Sequence, residues 1–116
     1  MSFAALTGQK LDDADAPDSF NVLPALLGES KTGRDHLVEH AGVLSLRRGP
    51  WKYIEPGTGP KVNRNTNTET GTEPAGQLYN LVDDLGETKN LAAEHPERVK
   101  EMSALLQKLR EEGRSR

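Results

Sequence analysis

No cysteine occurs anywhere in the 116-residue chain. That excludes disulfides, thiolate zinc sites and a cysteine nucleophile, and it leaves the redox compartment unreadable. Aromatic residues are scarce at 4%, with a single tryptophan, and the hydrophobic share is only 34%. A chain of this size and composition builds one modest core and leaves part of itself outside it. An excess of positive charge is also missing. The net charge is −3, so no global basic field addresses nucleic acid or an anionic membrane. No apolar run approaches membrane-spanning length. The first residues, Met1 to Leu6, have neither the basic flank nor the long apolar stretch of a signal peptide.

What is present begins with a short apolar patch, Phe3 to Leu6, that stops at Gly8 and reads as the tail of a helix. Leu11 to Ser19 is rich in carboxylates. A calcium loop counted from Asp13 would need a glycine sixth and a glutamate twelfth, and finds Asp18 and Pro24 instead. The stretch therefore reads as an acidic turn. Asp18 or Ser19 is placed to cap a short helix from Phe20 to Leu27 that Gly28 ends, with Pro24 awkward near its middle.

From His36 the period changes to that of strands. Leu37-Val38, then Val43-Leu44 and Leu46, then Trp51, Tyr53 and Ile54 form three short runs separated at Gly42 and at Gly49-Pro50. This predicts a meander of tight hairpins. Leu44 and Leu46 share one face of their strand and Ser45 takes the other, while the Trp51 strand carries apolar side chains on both faces. Residues 56–75 are nearly devoid of apolar side chains and predict a long mobile excursion. Gln77 to Leu81 supplies a fourth strand. His95-Pro96 then opens a helix over 96–112, with Val99, Met102, Leu105, Leu106 and Leu109 in one stripe and Gly113 as its stop. The predicted fold class is α+β. A four-stranded antiparallel meander carries the C-terminal helix on one face, after a short N-terminal helical segment.

Joining the fourth strand to the helix is a dense polar turn. Asp83 or Asp84 can form an Asx-turn, Gly86 can supply a positive φ, and Glu87 and Asn90 can satisfy backbone donors. Leu85 and Leu91 are expected to pin its two ends to the core. The whole stretch, Gln77, Leu78, Tyr79, Asn80 and Leu81, then Asp84, Glu87, Asn90 and Leu91, then Pro96, resembles the end of the type I, arylsulfatase A-like sulfatases, which use a formylglycine. Their chains read Q-L-Y-N-L, then D-x-x-E-x-x-N-L, then a Pro-headed helix. Arg47 to Ile54, with Trp51 and Lys52, resembles the family's R-x-G-x-W-K-x-I hairpin. Asp18 to Gly28 resembles the segment before its C-terminal subdomain, and the closing Gly113-Arg114-Ser115-Arg116 resembles many bacterial members.

The resemblance implies a C-terminal sulfatase subdomain over 33–116, preceded in 1–32 by the tail of the catalytic α/β domain and a connecting helix. The nucleophile motif C/S-x-P-x-R is absent, as are the family's calcium-binding acids. Calcium and formylglycine are thus implied for the parent enzyme and no cofactor for this chain, which should be inert alone. The implied partner is the catalytic domain. Without it, Phe3, Leu6, Phe20, Val22, Leu23 and Leu26 lose cover and the chain is expected to self-associate. Export is common among such relatives, and the compartment of this chain is unread. His40, Arg34 and Arg47 are the candidates for bordering the substrate cleft. His36 and His40, four apart on one strand, would share a face, either as a solvated pair or as two zinc ligands lacking a third. Trp51 reads as a hairpin anchor or a sugar-stacking ring, His95 as part of a helix cap, and Arg47, Arg48 and Lys52 as a small basic patch. The rival reading is a free-standing protein- or glycan-binding module that uses the sheet's open face or the 56–75 loop.

Overall fold

The computed structural model describes residues 1–12 and 14–114. Asp13, where the calcium-loop count starts, and Ser115-Arg116 of the terminal quartet lie outside them. The described residues fall into two compact units, one of His36–Lys108 and one of Met1–Asp35 with the residues from Leu109 on.

In the larger unit, β1 (His36–His40), β2 (Leu44–Arg48), β3 (Trp51–Ile54) and β6 (Gln77–Asn80) form one antiparallel sheet in the order β1-β2-β3-β6. Gly49, at φ 57°, and Pro50 make the two-residue turn between β2 and β3, a turn whose first position needs the left-handed region. The register places Val38, Leu46, Tyr53 and Leu78 in one cross-strand row. Leu46 and Leu78 are fully buried there, and Tyr53 is nearly so. The helix α3 (Pro96–Glu112) lies over this face, fastened by an Arg48–Glu101 ion pair at 3.0 Å, and its Met102 and Leu106 are buried. Each such side chain contributes about 1.5–3 kcal/mol, so this face is the stable heart of the unit. The predicted helix bounds and the α+β architecture are those observed.

The opposite face is more polar. Ser45, Ile54 and Gln77 share a row, and Arg47, Lys52 and Tyr79 the next. Ile54, Gln77 and Tyr79 are buried all the same. The Tyr79 hydroxyl donates to Gln77 Oε1 at 2.7 Å, and Gln77 Nε2 donates to the Gly71 carbonyl at 2.8 Å. These bonds tie residues 70–72 to this face.

Two local expectations are corrected. Leu81 stands outside β6, its N–H donating to the Pro50 carbonyl. The helix expected over Phe20–Leu27 is only α2 (Leu23–Leu26), which puts Pro24 in the first turn, where a missing N–H costs nothing. Neither Asp18 nor Ser19 caps it. Asn21 Oδ1 takes the Leu23 N–H instead. The 56–75 excursion has local structure of its own. It folds on itself as β4 (Val62–Asn63) and β5 (Thr68–Glu69), closed at its base by Gly57 N–H to the Glu73 carbonyl at 2.8 Å. Thr72 within it is buried.

In the smaller unit, α1 (Ser2–Leu6) is joined to the segment before α2 through Ser2 Oγ, which accepts the Val22 N–H at 2.9 Å. Gly28, at φ 78°, closes α2 as expected. Its N–H bonds the Ala25 carbonyl, and the Glu29 N–H bonds that of Pro24.

Candidate functional site: the strand-to-helix turn and the sheet faces

The polar turn leaves β6 through Asn80. Its Oδ1 accepts the Val82 N–H and its Nδ2 donates to Asp83 Oδ2 at 2.6 Å. Asp84 then gathers three donors: the Thr88 N–H at 2.7 Å, the Lys89 N–H at 2.8 Å and the Thr88 hydroxyl at 3.0 Å. The Lys89 N–H, against an opposing effect of desolvation and with help from the two Thr88 donors, holds the Asp84 carboxyl below the usual carboxylate range. Asn90 Oδ1 accepts both the Leu78 N–H at 3.1 Å and the Ala92 N–H at 3.0 Å, and the Leu91 N–H donates to the Leu78 carbonyl at 2.8 Å. The turn is therefore sewn onto the outer edge of β6.

Three expectations about this turn fail. The positive φ belongs to Glu87, at 54°, and not to Gly86. Glu87 satisfies no backbone donor. It reaches Lys52 Nζ at 2.7 Å, and this partly buried pair sits beside Tyr79. Burial raises the Tyr79 phenol above its ordinary value, and the Glu87 charge adds to the effect. Leu85 is 82% exposed and pins nothing. Leu91 is half-buried and anchors its end through the backbone bond to Leu78.

Trp51 faces α3. The Arg98 guanidinium lies 4.6 Å from its ring centroid, and the His95 ring meets it edge-on at 5.2 Å. The His95 carbonyl accepts the N–H groups of Arg98 and Val99 in the first turn of the helix. The ring is thus an anchor between hairpin and helix. Arg98 was not singled out by the sequence pattern. Its position two residues after the helix-opening proline was the available signal.

Two of the cleft candidates, His40 and Arg47, stand on opposite faces of the sheet. His40 ends β1 opposite Leu44 and is exposed, on the helix side of the sheet. Arg47 is exposed on the other side, in the row of Lys52. Arg34 belongs to the smaller unit, where it donates to the Asp18 carbonyl at 3.1 Å and stacks 4.8 Å over Phe20. The basic patch is likewise divided, since Arg48 turns to Glu101 and Lys52 to Glu87. Among the described residues no group of three His, Cys, Asp or Glu side chains is placed to hold a metal. His36 and His40 share a face, about 13 Å apart at strand rise.

No family model matches the chain. In sequence and fold, however, it is similar to the C-terminal subdomain of sulfatases. It is 40% identical over 111 residues to the N-acetylgalactosamine-6-O-sulfatase of Bacteroides thetaiotaomicron, a match covering 94% of this chain and 22% of that protein. A solved structure from work on glycosaminoglycan metabolism by the same bacterium superposes with a TM-score of 0.88 at 41% identity, over 93% of this chain and 23% of that one. A 2-O glycosaminoglycan sulfatase shares the fold, with a TM-score of 0.59 at 24% identity over 92% of this chain. The chain thus spans about a fifth of the length of the curated relative it matches.

Proposed function

We propose that this chain is the C-terminal subdomain of a formylglycine-dependent sulfatase acting on sulfated glycans. In the whole enzyme it braces the catalytic domain and borders the substrate cleft, and alone it turns over no sulfate ester. One observation carries this reading: nearly all of the chain aligns at 40% identity with only 22% of a sulfatase. The formylglycine precursor motif is absent from these residues, so formylglycine and calcium belong to the parent's remaining part. The relative's named substrate points to a 6-O-sulfated amino sugar. Arg34 and Arg47 carry the fixed positive charge that a sulfate seeks, and His40 offers a ring donor. Residues 1–32 go with the catalytic domain and 33–116 form the subdomain, with 56–75 its most mobile part. Phe3, Leu6 and Leu26 are 78%, 57% and 62% exposed. Separated from its parent, the chain self-associates through these side chains.

The decisive experiment replaces the matching segment of the Bacteroides enzyme with this chain. The chimera is expected to hydrolyse the 6-O-sulfated sugar, and an enzyme lacking the segment is expected to lose activity and thermal stability. A truncated enzyme with unimpaired rate and melting temperature would overturn the bracing role. The isolated chain should leave a chromogenic aryl sulfate intact with and without calcium, and turnover abolished by mutating this chain would refute its inertness. Sedimentation equilibrium should show mass rising with concentration; a monomer throughout removes the self-association.

A further inference from the structure

The tip of the β1–β2 hairpin and the base of the 56–75 excursion enclose a groove of about 390 Å³, wholly inside the larger unit. Val43, Gly57, Thr58, Gly59, Pro60 and Thr72 form much of its wall, and no ionisable side chain lines it. The wall is a built structure. A Cβ on Gly57 would stand 2.5 Å from Val43 Cγ1 and 2.9 Å from Thr72 Cγ2, so only glycine lets these segments close. The Gly57 N–H bond to Glu73 and the Thr70 hydroxyl, donating to the Pro60 carbonyl at 2.6 Å, hold the two strands of the wall together. Thr72 is only 7% exposed.

This lining has one chemical character. Threonine hydroxyls and glycine peptide edges offer donors and acceptors, and Val43 and Pro60 offer short apolar surface. A charged ligand finds no counter-charge there. A neutral, polyhydroxylated ring finds partners for its hydroxyls and a place for its C–H face. The groove lies on the Arg47 side of the sheet, since Gln77, in the row beside Arg47, holds Gly71 between the lining residues Thr70 and Thr72. Arg47 lies four residues along from Val43, about 13 Å at strand rise. We infer that this groove is a saccharide subsite, taking a neutral sugar ring of a glycan whose sulfate lies toward Arg47. The choice of a glycan rests on the sulfatase reading, whereas the geometry stands within His36–Lys108.

The test is an amide NMR titration of the full chain with N-acetylgalactosamine and, separately, its 6-O-sulfate. The Gly42, Gly57 and Gly59 amides are expected to shift with both sugars, with a Kd of about 1–10 mM. Gly59→Leu is the blocking variant. A Cβ there meets Thr72 at an ordinary 3.5 Å, so the backbone tolerates it while the side chain fills the groove. It should weaken binding at least about tenfold with the sheet amides unmoved, and Thr72→Val should weaken it less. Groove amides that stay still with both sugars, or respond equally in Gly59→Leu, overturn the subsite. The chimera separates this result from the sulfatase reading. An inactive chimera with persistent groove shifts refutes the reading and keeps the subsite. An active chimera whose KM ignores Gly59→Leu keeps the reading and refutes the subsite.

Discussion

Two polar connections leave the sheet, and they are ordered in different ways. The one from β6 to α3 is fixed to its neighbours by side-chain acceptors: Asn90 on the Leu78 edge, Asp84 on Thr88 and Lys89, and Glu87 on Lys52. The one from β3 to β6 closes mainly on itself, through the β4–β5 pairing and Thr70. Both are poor in buried apolar side chains, and the exposed Leu85 and Val62 show that even their apolar residues are not the cause of order. The contrast teaches that a polar segment is positioned by where its acceptors meet orphan backbone donors, and not by its average hydropathy.

The sharpest way to break the first connection is Asn90→Ala. It strips one partner from the N–H of fully buried Leu78 and from that of Ala92. A loss of about 1–3 kcal/mol in urea unfolding is expected. A variant as stable as the parent would mean that the sewn edge contributes nothing. Glu87 comes next, and here two substitutions must be compared. Alanine loses the Lys52 pair and keeps a side chain at φ 54°, whereas glycine loses the same pair but removes the backbone cost. Glu87→Gly should therefore be more stable than Glu87→Ala by about 1 kcal/mol. Equal stabilities would show that the left-handed backbone is unstrained.

Legibility followed the range of the forces involved. The strands and α3 were readable because their apolar periods are local: Leu44 and Leu46 alternate, and Met102 and Leu106 recur at helical spacing. The turn was readable in its residue types, since Asp and Asn bond their own neighbourhood. Its details were not. The positive φ falls at Glu87, whose carboxylate meets Lys52, a partner far away in sequence. Leu85 carries no local sign of exposure. The β4–β5 hairpin was missed because threonine hydroxyls and backbone bonds leave no apolar alternation to read. The cleft candidates were chosen by residue type and family position, signals that do not specify on which face of the sheet His40 and Arg47 stand.

Acid probes the first connection further. The Asp84 carboxyl is held below its ordinary value, so its stabilising effect is full above about pH 4 and is lost as pH falls through the depressed value. Asp84→Asn keeps one acceptor oxygen and no charge. Its deficit in urea midpoint should be present at neutral pH and shrink below pH ~3 as the parent's own carboxyl protonates. A deficit that does not change with pH would assign the effect to shape alone. The smallest effect belongs to the second connection. Replacing residues 61–70 with a Gly-Asn turn removes β4 and β5 but spares Gly57, Thr72 and Glu73, and it shortens the loop. Stability should change by less than about 1 kcal/mol. A larger loss would mean that the hairpin packs on something it does not touch in this structure.

The sewn edge of β6 has a consequence for self-templating. An open outer strand invites another chain to extend the sheet, which is how fibres begin. At Leu78 both backbone groups facing outward are already taken, the N–H by Asn90 and the carbonyl by Leu91. Sheet growth from that side is blocked at its middle. The other terminal strand of this sheet is β1, which is short and carries the exposed charge of Glu39. One half of the sheet's aggregation hazard is thus removed by the same asparagine and leucine that set the course of the chain toward its last helix.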